Sequence, residues 1–333
     1  MKYALGNMLG GAGGLNPDGL SLDLQFATDK VLTARKGPTP VLTRLSSTGT
    51  FIGSNGLIQS AGFNQARFDH DPTTLACKGL LMEEQRTNLV FPSAALTTQT
   101  RTVTAVPHTL SFYGTGTIVL SGVHVATVTG TGAYPTRTTL IFTPTAGSLI
   151  LTVTGSVTQA QLEAGSFVTS YIPTTTGTAV RSADVCSITG ANFTAMYNQS
   201  EGAFFVDALT PAFGSRIIVS ADNNGTTEVN KIFTSTTFSA VEVIDGGITQ
   251  ASLLPGSIVA NTAFKLASAY KLNDFSASTN GATVVTDVSG TLPTPTQLKI
   301  GSGKGVEVMC GCISSLRYYK KRLSDAKLQT LTT

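Results

Sequence analysis

The sequence predicts an all-β protein, and three observations carry that expectation. Charged residues make up only 12% of the 333 residues, while hydrophobic residues reach 41%. The positions between the apolar residues are filled mainly by Thr, Ser and Gly, a composition that suits pleated strands and turns better than long surface helices. Short runs of alternating apolar and hydroxyl residues recur, closed by Gly, Asn or Pro, which is the period-2 pattern of half-buried strands. A chain of this length has room for one large core or for two to three smaller ones.

Residues 1–95 form a first region of mixed character. It starts with "MKYALGNMLGGAGGL", where Asn7 and five glycines interrupt the apolar residues before a signal-like core forms, so no signal peptide is expected. Asn55-Gly56, between "GTFIGS" and "LIQSAG", predicts a hairpin. A charged patch follows from Arg67 to Arg86. The second region, 96–180, holds pieces such as "TIVLSGVHVATVTG" and "GSLILTVTGSVT", and between Arg101 and Glu163 its single formal charge is Arg137. Thr and Val alternating between glycines is the pattern of an antiparallel β-sandwich. Edges so poor in charge call for cover by a partner or by another copy. The third region, 186–333, restarts the pattern with "EGAFFVDAL", "RIIVSAD", "FSAVEVID" and "FKLASAYKL", and its regular spacing predicts a second sandwich. At the end, Ser324 as N-cap with Leu328 and Leu331 at helical spacing predicts a short helix.

The chemistry read from the residues is mostly that of binding. A net charge of +3 with no basic block points to neither nucleic acid nor a membrane surface, and no run reaches the ~18–20 apolar residues of a membrane span. Cys77, Cys186, Cys310 and Cys312 are read as free thiols, buried in a chain folded in a reducing cytoplasm. Glu83 and Glu84 in "GLLMEEQRTNLV" are neighbours, so a strand turns them to opposite faces and they cannot share one substrate. Glu84 and Arg86 fall on one face and are expected to pair. "RFDHDPTT" reads as a turn at Asp71-Pro72, "GSGKG" at 301–305 as a hairpin turn because it lacks the order of a phosphate loop, and Asp222 in "DNNG" as a tight turn before a calcium ligand. No catalytic, cofactor-binding or metal-ligating residue is assigned. Sugar binding is the strongest chemical alternative; with Trp absent, the aromatic candidates for glycan contact are Tyr113, Tyr134, Tyr197 and Tyr270.

Two longer phrases add a resemblance. "RFDHDPTTLACKGLLMEEQRTNLV" followed by "AQLEAGSFVTSYIPTTTGTAVRSADV" resembles a two-part signature of tailed-bacteriophage virion proteins and prophage tail or fibre proteins. "FKLASAYKLNDFSASTNG" through "GCISSLRYYKKRLSDAKLQTLT" is similar to the end of concanavalin-like, laminin-G-type jelly rolls. The resemblance implies a non-enzymatic virion part, assembled in the host bacterial cytoplasm, with residues 1–95 for attachment to the virion and 186–333 the jelly roll; 96–180, assigned by its own β pattern, fits a carbohydrate-binding-module-like sandwich between the two phrases. It implies a homo-oligomer, with a trimer expected, partnered by other tail or head proteins and by a host surface glycan, with no cofactor, nucleic acid or membrane insertion. Arg67, Asp69, Glu83, Glu84 and Arg86 are the expected virion interface. A tail fibre leads, a capsid decoration or head-fibre protein is the alternative, and a polysaccharide depolymerase ranks last.

Overall fold

The computed structural model describes residues 18–211, 214–303 and 308–333. Expectations for the N-terminal glycine-rich stretch and for Lys304 and Gly305 of the "GSGKG" turn lie outside them. The described residues are all-β, built as two antiparallel sandwiches, and the larger one follows from strict alternation. In Glu201–Leu209, Phe204, Val206 and Ala208 face the main core, while Ala203 and Phe205 face the opposite side. In Phe264–Lys271, Phe264, Leu266 and Tyr270 face that core, and Ala267 and Ala269 the other side. Both faces are apolar because the C-terminal helix Asp325–Thr332 covers the outer one with Leu328. Ser324 caps this helix by accepting from the Lys327 N–H, as its sequence position predicts.

One sheet of the larger sandwich runs Val285–Asp287, Asp274–Thr279, Phe264–Lys271, Glu201–Leu209, Gly311–Tyr319, Cys77–Met82, Phe68–His70, and Leu20–Leu24 also pairs with Gly311–Tyr319. The other runs Val41–Thr43, Val185–Thr189, Gln297–Ile300, Arg216–Asp222, Val229–Thr234, Phe238–Asp245, Ile248–Ser257. The boundary expected near residue 95 is therefore crossed by the strand pairing. Leu22, Leu24, Phe26, Leu80 and Met82 lie in the same core as Ile313, Leu316 and Tyr318, so the described part of the first region is woven into the jelly roll. Gly79 permits one of these crossings: at φ +110 it adopts a conformation that disfavours side chains, and a Cβ there would sit 2.1 Å from the Ile313 carbonyl oxygen.

The smaller sandwich packs a four-stranded sheet, Ala126–Thr129, Thr117–Gly122, Gly147–Thr154, Gln99–Val103, on a three-stranded one, Thr138–Phe142, His108–Tyr113, Thr158–Ala164. Its core is Val103, Leu110, Phe112, Ile118, Leu120, Leu149, Leu151 and Leu162. The outer face of the four-stranded sheet is exposed and carries Thr100, Val119, Thr127, Ile150 and Thr152. The three-stranded sheet differs, because His108–Tyr113 is buried along its whole length. Its second face is pressed against the junction with the jelly roll. The whole module is an insertion: the chain leaves after Cys77–Met82 and returns at Val185–Thr189, and the two connections pair antiparallel as Arg86–Asn88 with Ala179–Arg181.

Candidate functional site

The junction is ionic and buried. Glu83 and Asp184 sit where the chain leaves and re-enters the jelly roll, and each backbone clasps the other: the Glu83 N–H donates to Asp184 Oδ2 and the Asp184 N–H to the Glu83 carbonyl, both at 2.9 Å. Arg67 bridges the two carboxylates, 2.6 Å from Glu83 Oε2 and 2.5 Å from Asp184 Oδ2. Arg44 donates to Asp184 Oδ1 at 3.1 Å, and Arg181 lies 3.2 Å from Glu83 Oε2. Ser170 of the inserted module completes Glu83 by donating its N–H and its hydroxyl, each at 2.7 Å. Arg44, Arg67, Arg181 and Asp184 are at most 1% exposed. Burial alone drives the Glu83 carboxyl up, but the Arg181 and Arg67 guanidiniums and the Ser170 donors overcome it and hold the group at about 2.

A second layer lies beside this one. Glu84 takes Arg86 and Arg216 at 2.5 Å each, and the two guanidiniums stand 4.7 and 5.2 Å from the centre of the Phe167 ring. Gly165 makes the space, since a Cβ there would fall 1.6 Å from Arg86 Nη1. The Glu84 and Arg86 pair is the one that strand spacing predicts. Arg67, Glu83 and Arg86, expected as a virion interface, are no more than 7% exposed. They hold two modules of one chain together, and a partner could reach them only by opening the junction. Asp69 and Glu84 are partly buried, with Asp69 accepting from the Ile52 N–H at 2.7 Å and facing Lys78 at 3.6 Å.

A cleft of about 280 Å³ opens on this junction. The hairpin Gly49–Ile52/Ile58–Ala61 forms one wall, the inserted module another, and Leu209, Asn261 and Cys310–Cys312 of the jelly roll the third. Tyr113 and Tyr134 line it with ring centres 5.3 Å apart, and the Tyr134 hydroxyl donates to the Gly56 carbonyl at the hairpin turn. Arg137 also lines it, 5.9 Å from the centre of the Tyr113 ring. Of the four tyrosines expected to touch glycan, the structure thus brings Tyr113 and Tyr134 together at a cleft. Tyr197 and Tyr270 are corrected: they stack in the jelly-roll core with Phe193, Phe204 and Tyr318, and the Tyr270 hydroxyl is spent on the Asn198 carbonyl at 2.7 Å and the Tyr318 hydroxyl at 2.6 Å.

Arg44, Arg137, Ser170, Arg181, Asp184 and Arg216 were not among the expected site residues. Their partners are remote in sequence, so spacing carried no signal; the isolation of Arg137 in an uncharged region was the one clue available. Asp222 is buried and satisfied by Ser220, Asn224 and Gln297, as a tight turn requires. No group of His, Cys, Asp and Glu among the described residues could hold a metal ion, and no described helix is long and apolar enough to cross a membrane.

No protein-family model matches the chain, and no curated protein matches its sequence. Solved structures overlap part of it. A sialidase CBM40 from Ruminococcus gnavus bound to α2,6-sialyllactose aligns over 41% of this chain and 85% of its own, with 14% identity and a TM-score of 0.36. A botulinum neurotoxin type C structure aligns over 45% of this chain and 39% of its own, with 11% identity and a TM-score of 0.36. Domain 4 of the Geobacillus stearothermophilus arabinanase AbnA, in complex with arabinotriose, aligns over 47% and 78%, again with 11% identity and a TM-score of 0.36. At such scores the ligands of these proteins carry no weight for this chain.

Proposed function

We propose that the chain is a non-enzymatic saccharide-binding protein whose ligand sits in the cleft between its two sandwiches. The observation that carries this reading is the cleft's lining. Aromatic Tyr113, Tyr134 and Phe51 stand with polar groups that include Arg137, Asp69, Lys78, Glu83 and Asn261, in a concavity made by three separate stretches of chain. Fixed polar groups in an aromatic wall are what orients a sugar ring. The volume of about 280 Å³ lies at the small end of the roughly 300–1,000 Å³ range of ligand sites, so one ring with its substituents fits better than a long chain. Multiple copies would then supply avidity. Of the two carboxylates that line the cleft, Asp69 and Glu83, Glu83 offers no acid for hydrolysis. Glu83 is locked by two arginines and Ser170 and held at about 2, which leaves it no proton to donate near neutrality.

The resemblance of the two sequence phrases to phage appendages supports placing this binding activity on a virion, in several copies and directed at a host surface. Exposed apolar residues favour such copies: Leu45 and Phe63, 82% and 65% exposed, flank the Arg44 and Asn64 contact. The test is binding of the purified chain to host-cell polysaccharide, with Tyr134→Ala as comparison. Binding weakened at least tenfold by the substitution supports the cleft, and unchanged binding refutes it as the site. Adsorption to host cells against binding to tail-less heads separates a tail fibre from a head protein, and sedimentation reads the oligomer.

A further inference from the structure

We propose that the cleft selects an acidic sugar, one bearing a carboxylate, and that Arg137 is the residue that receives it; this rests on the saccharide reading above. Arg137 is the cation that breaks the pairing pattern of the junction. Glu83 is taken by Arg67 and Arg181, Asp184 by Arg44 and Arg67, and Asp69 faces Lys78. Arg137 forms no ion pair among the described residues: it donates to two neutral oxygens, the Thr169 carbonyl at 2.7 Å and Ser111 Oγ at 2.8 Å, and its buried Nε–H has no partner. A guanidinium offers five N–H donors; the Nε–H is buried without a partner, as it is in Arg67, Arg86 and Arg181 too, so the two remaining Nη–H groups are the ones left for a ligand. Cations withdrawn from water are ordinarily paired. Among the described residues no carboxylate stands at ion-pair distance from this guanidinium, Glu163 and Glu83 acting on it only from further away, and it lines a ligand-sized cleft.

Geometry fits the same occupant. Thr169 and Ser111 hold the guanidinium from two elements, the segment leading out of the Thr158–Ala164 strand and the His108–Tyr113 strand, so it is oriented before any ligand arrives. A fixed planar fork matches a carboxylate in two-point contact, a pairing that an ammonium group cannot reproduce. Tyr113, against the same guanidinium, and Tyr134 supply the ring-facing wall. A hexuronate places its carboxylate on a pyranose ring and presents both features within one sugar unit.

The experiment compares sugars that differ only at C6. Methyl glucuronate and methyl galacturonate are titrated against methyl glucoside and methyl galactoside by NMR on the whole chain, at 50 and 500 mM NaCl. The acidic member of a pair is expected to bind at least tenfold tighter than the neutral one, with its affinity falling as salt rises. Arg137→Gln should remove the difference between the acidic and the neutral member of each pair, and Arg137→Lys should restore only part of it. Equal binding of both members, or a preference that salt does not weaken, overturns the acidic-sugar inference and leaves saccharide binding standing. Absence of binding by all four glycosides and by host polysaccharide overturns both. Because the salt comparison uses the unaltered chain, an Arg137 variant that fails to fold does not remove the test.

Discussion

Glu83→Gln is the substitution that most directly tests how the two sandwiches are joined. The change keeps the shape of the side chain but removes the charge that Arg67 meets at 2.6 Å and Arg181 at 3.2 Å. It also places an amide N–H₂ or a neutral oxygen where Arg67 and two Ser170 donors converge. Arg67 keeps Asp184, whereas Arg181 loses its carboxylate. Removing one member of a buried ion pair costs about 3–5 kcal/mol. The pH linkage gives an independent figure: a carboxyl near 4.5 in the unfolded chain and held at about 2 when folded contributes about 3 kcal/mol. The sign follows from the depressed value. The stabilisation is complete above about pH 5, shrinks as pH falls through 4.5 toward 2, and retains less than half its size at pH 3. Urea denaturation of both proteins at pH 7 and pH 3 measures it, and taking the difference cancels the other carboxylates. The variant is expected to be less stable by about 3–5 kcal/mol at pH 7, a drop in Tm of roughly 4–7 °C for a chain of 333 residues, and the gap should narrow by about 2 kcal/mol at pH 3. A difference under about 1 kcal/mol at pH 7, the size of a surface ion pair, or one that does not change with pH, would refute the role assigned to the junction.

Three further outcomes are expected. Leu24→Ala should cost about 2–5 kcal/mol in the same denaturation assay, because Leu24 is fully buried in the jelly-roll core; a detachable N-terminal arm would lose almost nothing. Tyr270→Phe should destabilise by about 1–2 kcal/mol through its lost hydroxyl contacts and leave saccharide titrations unchanged; a change in sugar affinity would restore Tyr270 as a contact. Iodoacetamide at pH 8 should label Cys77 in the folded chain and spare Cys186, Cys310 and Cys312, which are buried, with the Cys186 and Cys310 thiols pushed up to about 12 by burial. Peptide mapping by mass spectrometry reads this directly, and early labelling of Cys310 would contradict the packing of the cleft floor.

Alternation made most strands legible, since Glu201–Leu209, Arg216–Asp222 and Phe238–Asp245 coincide with the runs read from sequence. The Asn55-Gly56 turn and the Ser324 cap were legible for the same reason: each is a local rule with a local signal. Ile248–Ser257 is not among the runs read from sequence; it carries Pro255, which its place at a sheet edge tolerates. Pairing of Leu20–Leu24 with the C-terminal strand leaves no local trace at all, so the first region looked separate. The site divides in the same way. Glu84 and Arg86 are two residues apart in an extended stretch of sequence and were readable as a pair, whereas Glu83 meets Arg67, Arg181 and Ser170 only through the fold. Tyrosine is amphipathic, and its spacing alone could not separate Tyr134 at the cleft from Tyr197 in the core.

The two phrases that resemble phage virion proteins acquire a structural meaning once the insertion is seen. The first carries Arg67, Glu83, Arg86 and Asn88; the second carries Gln161, Glu163, Thr169, Ser170, Arg181 and Asp184. They are the outgoing and returning ends of the same junction, and they interlock residue by residue. Asn88, fully buried, donates to the Ala160 and Ile172 carbonyls at 3.0 and 2.8 Å and accepts from the Val90 and Leu162 N–H groups. Glu163 accepts from Gln161, Thr169 N–H and the Thr169 hydroxyl at 2.6–2.9 Å. A residue set this interdependent specifies how one sandwich is mounted on another, because a single missing member leaves a buried group unpaired. The phrases therefore speak first for an architecture, a jelly roll carrying an inserted module at a fixed angle, and only through it for any particle. What that angle produces is the cleft, since its three walls belong to the jelly roll, the hairpin and the insert. A change at Arg44 or Asp184, junction residues that do not line the cleft, should consequently alter ligand binding, and a change in Tyr134 should alter binding without loosening the junction.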